Sequence, residues 1–298
     1  MSLVINHNLM AMNASRNLSS AYGSLSTSTE RLSSGLRVNT AADDAAGLAI
    51  RELMRADIQS LNQGVRNAND AISMIQTADG ALGVIDEKLI RLKELAMQAS
   101  TGTYSSDQRL MIDSEYQAMC SEITRIANAT DFNGIHLLNG HLSGDATSHN
   151  GNGIESTGAL KIHFGSGNDS AEDYYYINVG CVTASALGLG TLSTGTAGKS
   201  ISTQELAQTA LDAINQAIVS KDKIRAALGA MQNRLENTIT NLSIQAENLQ
   251  ASESRISDVD VATEMTNYTL EQIKAQSAVA MLSQANSLPK MALTLIQG

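Results

Sequence analysis

Between residues 75 and 99, Ile75, Ala78, Leu82, Ile85, Leu89, Leu92, Ala96 and Ala99 recur at alternating steps of three and four. That spacing lays one apolar seam along one face of a helix, and a single helix cannot bury it alone. The helix predicted to carry it begins near Asp43 or Asp44 and runs to about Ser100, a length of roughly 80 Å at about 1.5 Å per residue. Gly64, Gly80 and Gly83 weaken it locally. Asp43 and Asp44 are adjacent and stand where the helix starts, so they read as complements to its dipole and as contacts, not as a catalytic carboxylate pair.

The rest of the chain supplies covers for the seam. In "STGTYSSDQ", Ser105 followed three residues later by Gln108 reads as a capping box. Ile112, Tyr116, Met119, Ile123 and Ile126 continue the three-four pattern behind it. After "DFNGIHLLNG" the helical period is lost and Gly, Ser, Asn, Asp and Thr take over. Within that middle, "LKIHF" (160–164) and "YYYINV" (174–179) flank "GSGNDSAED" and predict a β-hairpin. Strand alternation splits Tyr174, Tyr175 and Tyr176 between faces, which sends Tyr175, Ile177 and Val179 toward the helices instead of building an aromatic binding platform. Ser202 and Glu205 read as a second capping box, opening a third long helix with a seam of Leu228, Met231, Leu235, Thr238, Leu242, Gln245 and Leu249. A break at "ESRISDVD" precedes a last helix. The fold class is mainly α: a long antiparallel helical rod with coiled-coil-like packing and a small β-hairpin region.

The two ends pose a separate problem. From Met1 to Thr29 the only charged side chain is Arg16, and the last stretch, "AVAMLSQANSLPKMALTLIQG", carries only Lys290 and the one proline of the chain, Pro289. An even number of antiparallel reversals brings both ends to one end of the rod, where they pair. A two-helix pair cannot bury two apolar surfaces all round, and large exposed apolar area marks an interaction site. The alternative is that both ends fold back onto the rod as ordinary core.

Composition excludes several partners. Thirty acidic against twenty basic residues give a net charge of −10, which argues against binding nucleic acid or anionic lipid by bulk electrostatics. The longest apolar run of the tail, AVAML, is five residues, far short of a membrane span. No basic segment followed by an apolar core and a cleavage site opens the chain, so export, if it occurs, is expected to leave it uncut. Cys120 and Cys181 form neither a metal-type pair nor a disulfide framework. "GTAGKS" (195–200) lacks the first glycine of a phosphate-binding loop, since position 193 is Ser. His136, His141, His149 and His163 lack helical i, i+4 pairing and read as surface residues, not zinc ligands. No catalytic, metal or cofactor site is expected.

"RLSSGLRVNTAADDAAGLAI" (31–50) resembles the N-terminal signature of bacterial flagellin, and "SRISDVDVATEM" followed by "LSQANSLPKMALTLIQ" is similar to its C-terminal signature. The resemblance covers roughly residues 1–140 and 200–298 and is that of a short flagellin. It implies an inner-core polymerisation domain of residues 1–42 together with 256–298, a helical rod domain over 43–255 with the hairpin region at about 140–200, and no outer domain. It further implies a structural subunit, not an enzyme, that polymerises into the extracellular filament of a motile bacterium after unfolded export through the flagellar type III pathway. The other member of this family similar at both ends, the hook-filament junction protein, is the alternative. An enzyme or adhesin on the same rod would need an inserted central domain.

On this reading the subunit interface comprises Leu3, Ile5, Leu9, Leu18, Tyr22, Leu25, Val279, Leu282, Leu288, Met291 and Leu295. Expected partners are further copies of the chain, an export chaperone covering the C-terminal helix, and the filament cap and junction proteins. "LIRLKELAMQAS" (89–100) also resembles the segment recognised by the vertebrate Toll-like receptor for flagellin, with Arg91, Leu95 and Glu115 at the matching positions. The Ser and Thr residues of 143–200 are candidate acceptors of O-linked sugars, as in many flagellins.

Overall fold

The longest helix begins where Asp44 accepts the backbone N–H of Gly47 at 2.9 Å and so caps its first turn. In this computed structural model, which describes residues 7–143, 158–170, 172–190 and 200–297, that helix is α2 (Ala45–Ser100), preceded by α1 (Leu9–Ser34) and followed by α3 (Ser106–Ala129), α4 (Gln204–Ser257) and α5 (Val261–Gln297). Strands β1 (Asp131–Phe132) and β2 (Ile135–His136) form one antiparallel pair, and β3 (Leu160–His163) and β4 (Tyr174–Ile177) another. The chain divides into two units, Met1–Ile58 with Glu247–Gly298, and Gln59–Ala246.

The second unit is built on the seam. All eight of its residues from Ile75 to Ala99 are at most 1% exposed. They share one core with Tyr116, Cys120, Ile123 and Ala127 of α3 and with Ala207, Ala210, Ile214, Ala217, Leu228 and Leu235 of α4. The turn between α2 and α3 is held by Arg109, whose guanidinium donates to the carbonyls of Ala99 at 3.1 Å and Thr101 at 2.9 Å. The Ala99 carbonyl is one of the last of α2, which have no partner within the helix, and Thr101 follows the helix directly. The capping box of α3 forms in both directions: Ser105 Oγ accepts from Gln108 N, and Gln108 Oε1 accepts from Ser105 N at 3.0 Å. At α4 the cap differs from the expectation. Thr203, not Ser202, accepts the N–H three residues on, that of Leu206 at 3.3 Å, because Ser202 is turned back onto Ser200. Further along, Gln245 is exposed and Ala246 is buried in its place. A helix of 3.6 residues per turn drifts off a 3.5-residue seam, so the buried stripe steps by one position.

The segments between α3 and α4 complete this core. Asn133 and Gly134 both have positive φ, 53° and 80°, the two-residue turn that matches the twist of a hairpin, and it joins β1 to β2. Leu137, Leu138, Val182 and Leu189 then enter the core from irregular backbone, and Leu142 from a short 3-10 turn (His141–Ser143). In the larger hairpin Leu160 faces Ile177 and Ile162 faces Tyr175, which puts these four on the core side. Lys161, His163, Tyr174 and Tyr176 take the other face, with the Lys161 ammonium 3.5 Å from the Tyr174 ring. Tyr175 carries the Arg234 guanidinium over its ring at 3.5 Å. The hairpin end docks on α2 where Asn67 Nδ2 donates to the His163 carbonyl at 2.8 Å. Gly64, one turn before, leaves room for the Phe164 backbone, which a Cβ there would overlap.

In the first unit α1 packs against α5. Asn8 Oδ1 caps α1 by accepting from Ala11 N, and Gly35 closes it with φ 74°, its N–H returning to the Arg31 carbonyl. Beyond the glycine, Leu36 bridges to Asp258, with Arg37 N donating to Ser257 O and Val259 N to Gly35 O. Asp260 caps α5 through Ala262 N and the Thr263 hydroxyl. Asp43 organises the loop before α2 by accepting from Thr40 N at 3.0 Å and Thr40 Oγ1 at 2.9 Å.

Candidate assembly surface

Apart from Glu264, the α1–α5 pair buries small residues, and it exposes many large ones. Its buried positions on α1 are Ala21 and Ser28, and on α5 Glu264, Ala275 and Ala285. Small side chains let two backbones approach closely but cover little apolar area. The large side chains turn outward: Leu9 is 66% exposed, Met12 64%, Ile273 58% and Met281 65%. A groove of about 790 Å³ runs along the pair, lined by Met10, Ala14, Ala21, Ile273, Ala278 and Met281 among others. No helix among the described residues is long and apolar enough to cross a membrane.

The expected interface residues fall into three groups. Leu9, Tyr22, Val279 and Met291 are exposed, and Leu18, Leu25 and Leu282 are half-buried. Leu3 and Ile5 lie outside the described residues, as do the side chains of Leu288 and Leu295. Met10, Met12, Ile273 and Met281 were not among the candidates, yet they present comparable apolar area. Their signal was present in the sequence as apolar residues on helices with few charges, but which of them the partner helix would cover depends on the register of the pair.

The second candidate region is an exposed ion-pair cluster in the other unit. Arg91 donates to Glu115 through Nη2 at 2.8 Å and Nε at 3.1 Å, and to Glu94 through Nη1 at 3.0 Å. The hydrogen bond to Glu115, followed by that to Glu94, raises the guanidinium pKa further above its ordinary value. Leu95 does not share this surface. At 2% exposure it lies in the core, so it can act on a partner only by supporting the helix. Exposed Ile90, Met97, Leu110 and Met111 surround the same end of the helical pair.

The remaining candidates stay apart. Both cysteines are free, Cys120 buried and Cys181 half-buried, and burial pushes the Cys120 thiol up to about 12, which keeps it protonated and unreactive. Among the described residues, no group of three His, Cys, Asp or Glu side chains is placed to hold a metal. His149 and residues 195–199 of "GTAGKS" lie outside the described residues.

Two family descriptions match this chain: the bacterial flagellin N-terminal helical region over residues 5–143, and the bacterial flagellin C-terminal helical region over residues 211–296. The flagellar filament 33 kDa core protein of Treponema phagedenis is 40% identical over 99% of this chain and all of its own. A flagellin of Halalkalibacterium halodurans is 41% identical over 99% of this chain and all of its own. The flagellin of Bacillus subtilis is 39% identical, covering 98% of this chain and 99% of its own.

Proposed function

The chain belongs to the bacterial flagellin family, and from that premise we propose that it is a structural subunit of the extracellular flagellar filament, polymerising through the faces of α1 and α5 that the monomer leaves exposed. The observation that carries this is the inverted burial of the helix pair, with Ala21, Ser28, Ala275, Ala285 and the one carboxylate of Glu264 inside and Leu9, Met12, Tyr22, Ile273 and Met281 outside. Apolar surface of that kind gains stability when a neighbouring copy removes it from water. Identical contacts repeated without closure give an open helical polymer. Residues 1–42 with 256–298 would form the inner core of that polymer and 43–255 the layer around it. The full-length relatives named as filament proteins favour this over a junction protein. The test is abundance in a cell-surface shear preparation, where a filament subunit dominates the gel and a junction protein is a trace band.

Export as an unfolded chain, with a chaperone shielding the apolar C-terminal helix, accords with the exposed side chains of α5. The filament cap and junction proteins would meet the same faces at the ends of the polymer. Recognition of the monomer by the vertebrate Toll-like receptor would run through Arg91 and Glu115, both about half exposed. Burial of this face between subunits would make intact filaments poor ligands.

A further inference from the structure

The carbonyl of Ala285 lies inside α5, where the residue four positions on would donate its backbone N–H. That residue is Pro289, which has no N–H to give. Ala285 is one of the few buried positions of the helix pair, at 8% exposure, so the open acceptor faces the partner helix instead of bulk water. A buried carbonyl without a donor is costly, and native structures fill such positions. Here the donor comes from the other end of the chain: Asn8 Nδ2 meets Ala285 O at 2.8 Å. The same amide uses its oxygen to cap α1, accepting from Ala11 N at 3.0 Å.

We propose that Asn8 is the positioning residue that sets the register of α1 on α5, and that Pro289 makes this register selective by leaving one carbonyl on α5 open to a side chain of the partner helix. A regular helix interior presents carbonyls already bonded along the helix, and none is preferred over the next. Withholding one N–H singles out Ala285. If α1 slid by a turn, Asn8 would face an acceptor already engaged and Ala285 would be left without a donor. Apart from Glu264, the buried positions Ala21, Ser28, Ala275 and Ala285 are small and offer little shape by which to choose one register over the next. For its consequence in assembly, though not for the hydrogen bond itself, this inference rests on the reading of α1 and α5 as the polymerising segments.

The test is a double-mutant cycle in the full-length chain with Asn8→Ser and Pro289→Ala, singly and combined. Serine keeps a capping oxygen and removes the amide donor, and Pro289→Ala restores the N–H within α5. Amide hydrogen exchange of α1 and α5 peptides is followed by mass spectrometry in subunits and in salt-assembled protein, and the critical concentration for assembly is measured separately. Asn8→Ser is expected to raise exchange and critical concentration by about tenfold when residue 289 is proline, the effect of one buried carbonyl left bare. When residue 289 is alanine it should change either by less than about twofold, since the carbonyl then has its own donor. An equal effect of Asn8→Ser in both backgrounds, or exchange in both helices at the unfolded rate in both states, overturns the proposal. Coupling in exchange with no change in critical concentration supports the register role and counts against the assembly reading alone.

Discussion

Lys221 Nζ lies 2.6 Å from Asp86 Oδ1 and 2.7 Å from Asp222 Oδ1, with the lysine side chain 2% exposed and Asp86 32%. The pair joins α4 to α2 inside an otherwise apolar seam. Burial pulls the lysine pKa down, but the hydrogen bonds it donates to Asp222 and Asp86 outweigh it and leave it raised. Removing Asp86 leaves the buried cation only the exposed Asp222 of its own helix and breaks the tie to α2, whereas removing the cation leaves two aspartates that water can reach. Asp86→Ala is therefore expected to lower unfolding stability by roughly 1–3 kcal/mol, and Lys221→Met to change it by less than about 1 kcal/mol. Urea unfolding followed by the helical signal measures both. A larger loss for Lys221→Met would mean that the charge pair, and not the filled seam, carries the stability here.

Gly64 allows the Phe164 backbone to touch α2, and a methyl group there would overlap the Phe164 carbonyl. Gly64→Ala is favourable for helix formation by itself, by up to about 1 kcal/mol, yet it must push the hairpin away. The expected net result is a loss of roughly 1–3 kcal/mol, with faster hydrogen exchange confined to β3 and β4. A gain in stability would show that the hairpin is not held against the helix at this point.

Arg91 bonded to both Glu94 and Glu115 presents a preformed charge cluster. In a binding assay of purified monomer with the receptor ectodomain, Arg91→Ala is expected to weaken binding by at least about tenfold, in the range of a surface residue central to an interface. Unchanged affinity would remove this cluster from the recognition surface.

Two aspartates tie the first unit to pH. The Thr40 backbone and hydroxyl hold the Asp43 carboxyl below its ordinary value, and the Thr263 hydroxyl and backbone do the same for Asp260. Because folding depresses these values, their stabilisation is complete above the unfolded carboxylate value of 3.8 and is lost as pH falls through the lower folded ones. Acid unfolding of α1 and α5 should thus steepen below about pH 4. Asp43→Asn with Asp260→Asn should flatten that dependence, as read by circular dichroism across the range.

The parts legible in the sequence are those that repeat. The seam from Ile75 to Ala99 is buried at every predicted position because spacing alone determines which face a helix covers. The box of Ser105 and Gln108 was equally readable, being local. Leu137, Leu138, Leu142, Val182 and Leu189 were not, since they reach the core from irregular backbone or a single 3-10 turn with no period to betray them. The cap at Thr203 instead of Ser202 follows from the Ser200 hydroxyl donating to that of Ser202. The apolar ends declared themselves by lack of charge, but their register did not, because it depends on a hydrogen bond spanning 277 residues from Asn8 to Ala285.

Electron microscopy after salt-induced assembly, comparing the full chain with one lacking residues 1–29 and 275–298, decides whether α1 and α5 are the contacts of the polymer. Long filaments are expected from the full chain, and a truncated chain that stays monomeric with the helical signal of α2, α3 and α4 retained. Filaments from the truncated chain would contradict it and return α1 and α5 to the core of the single subunit.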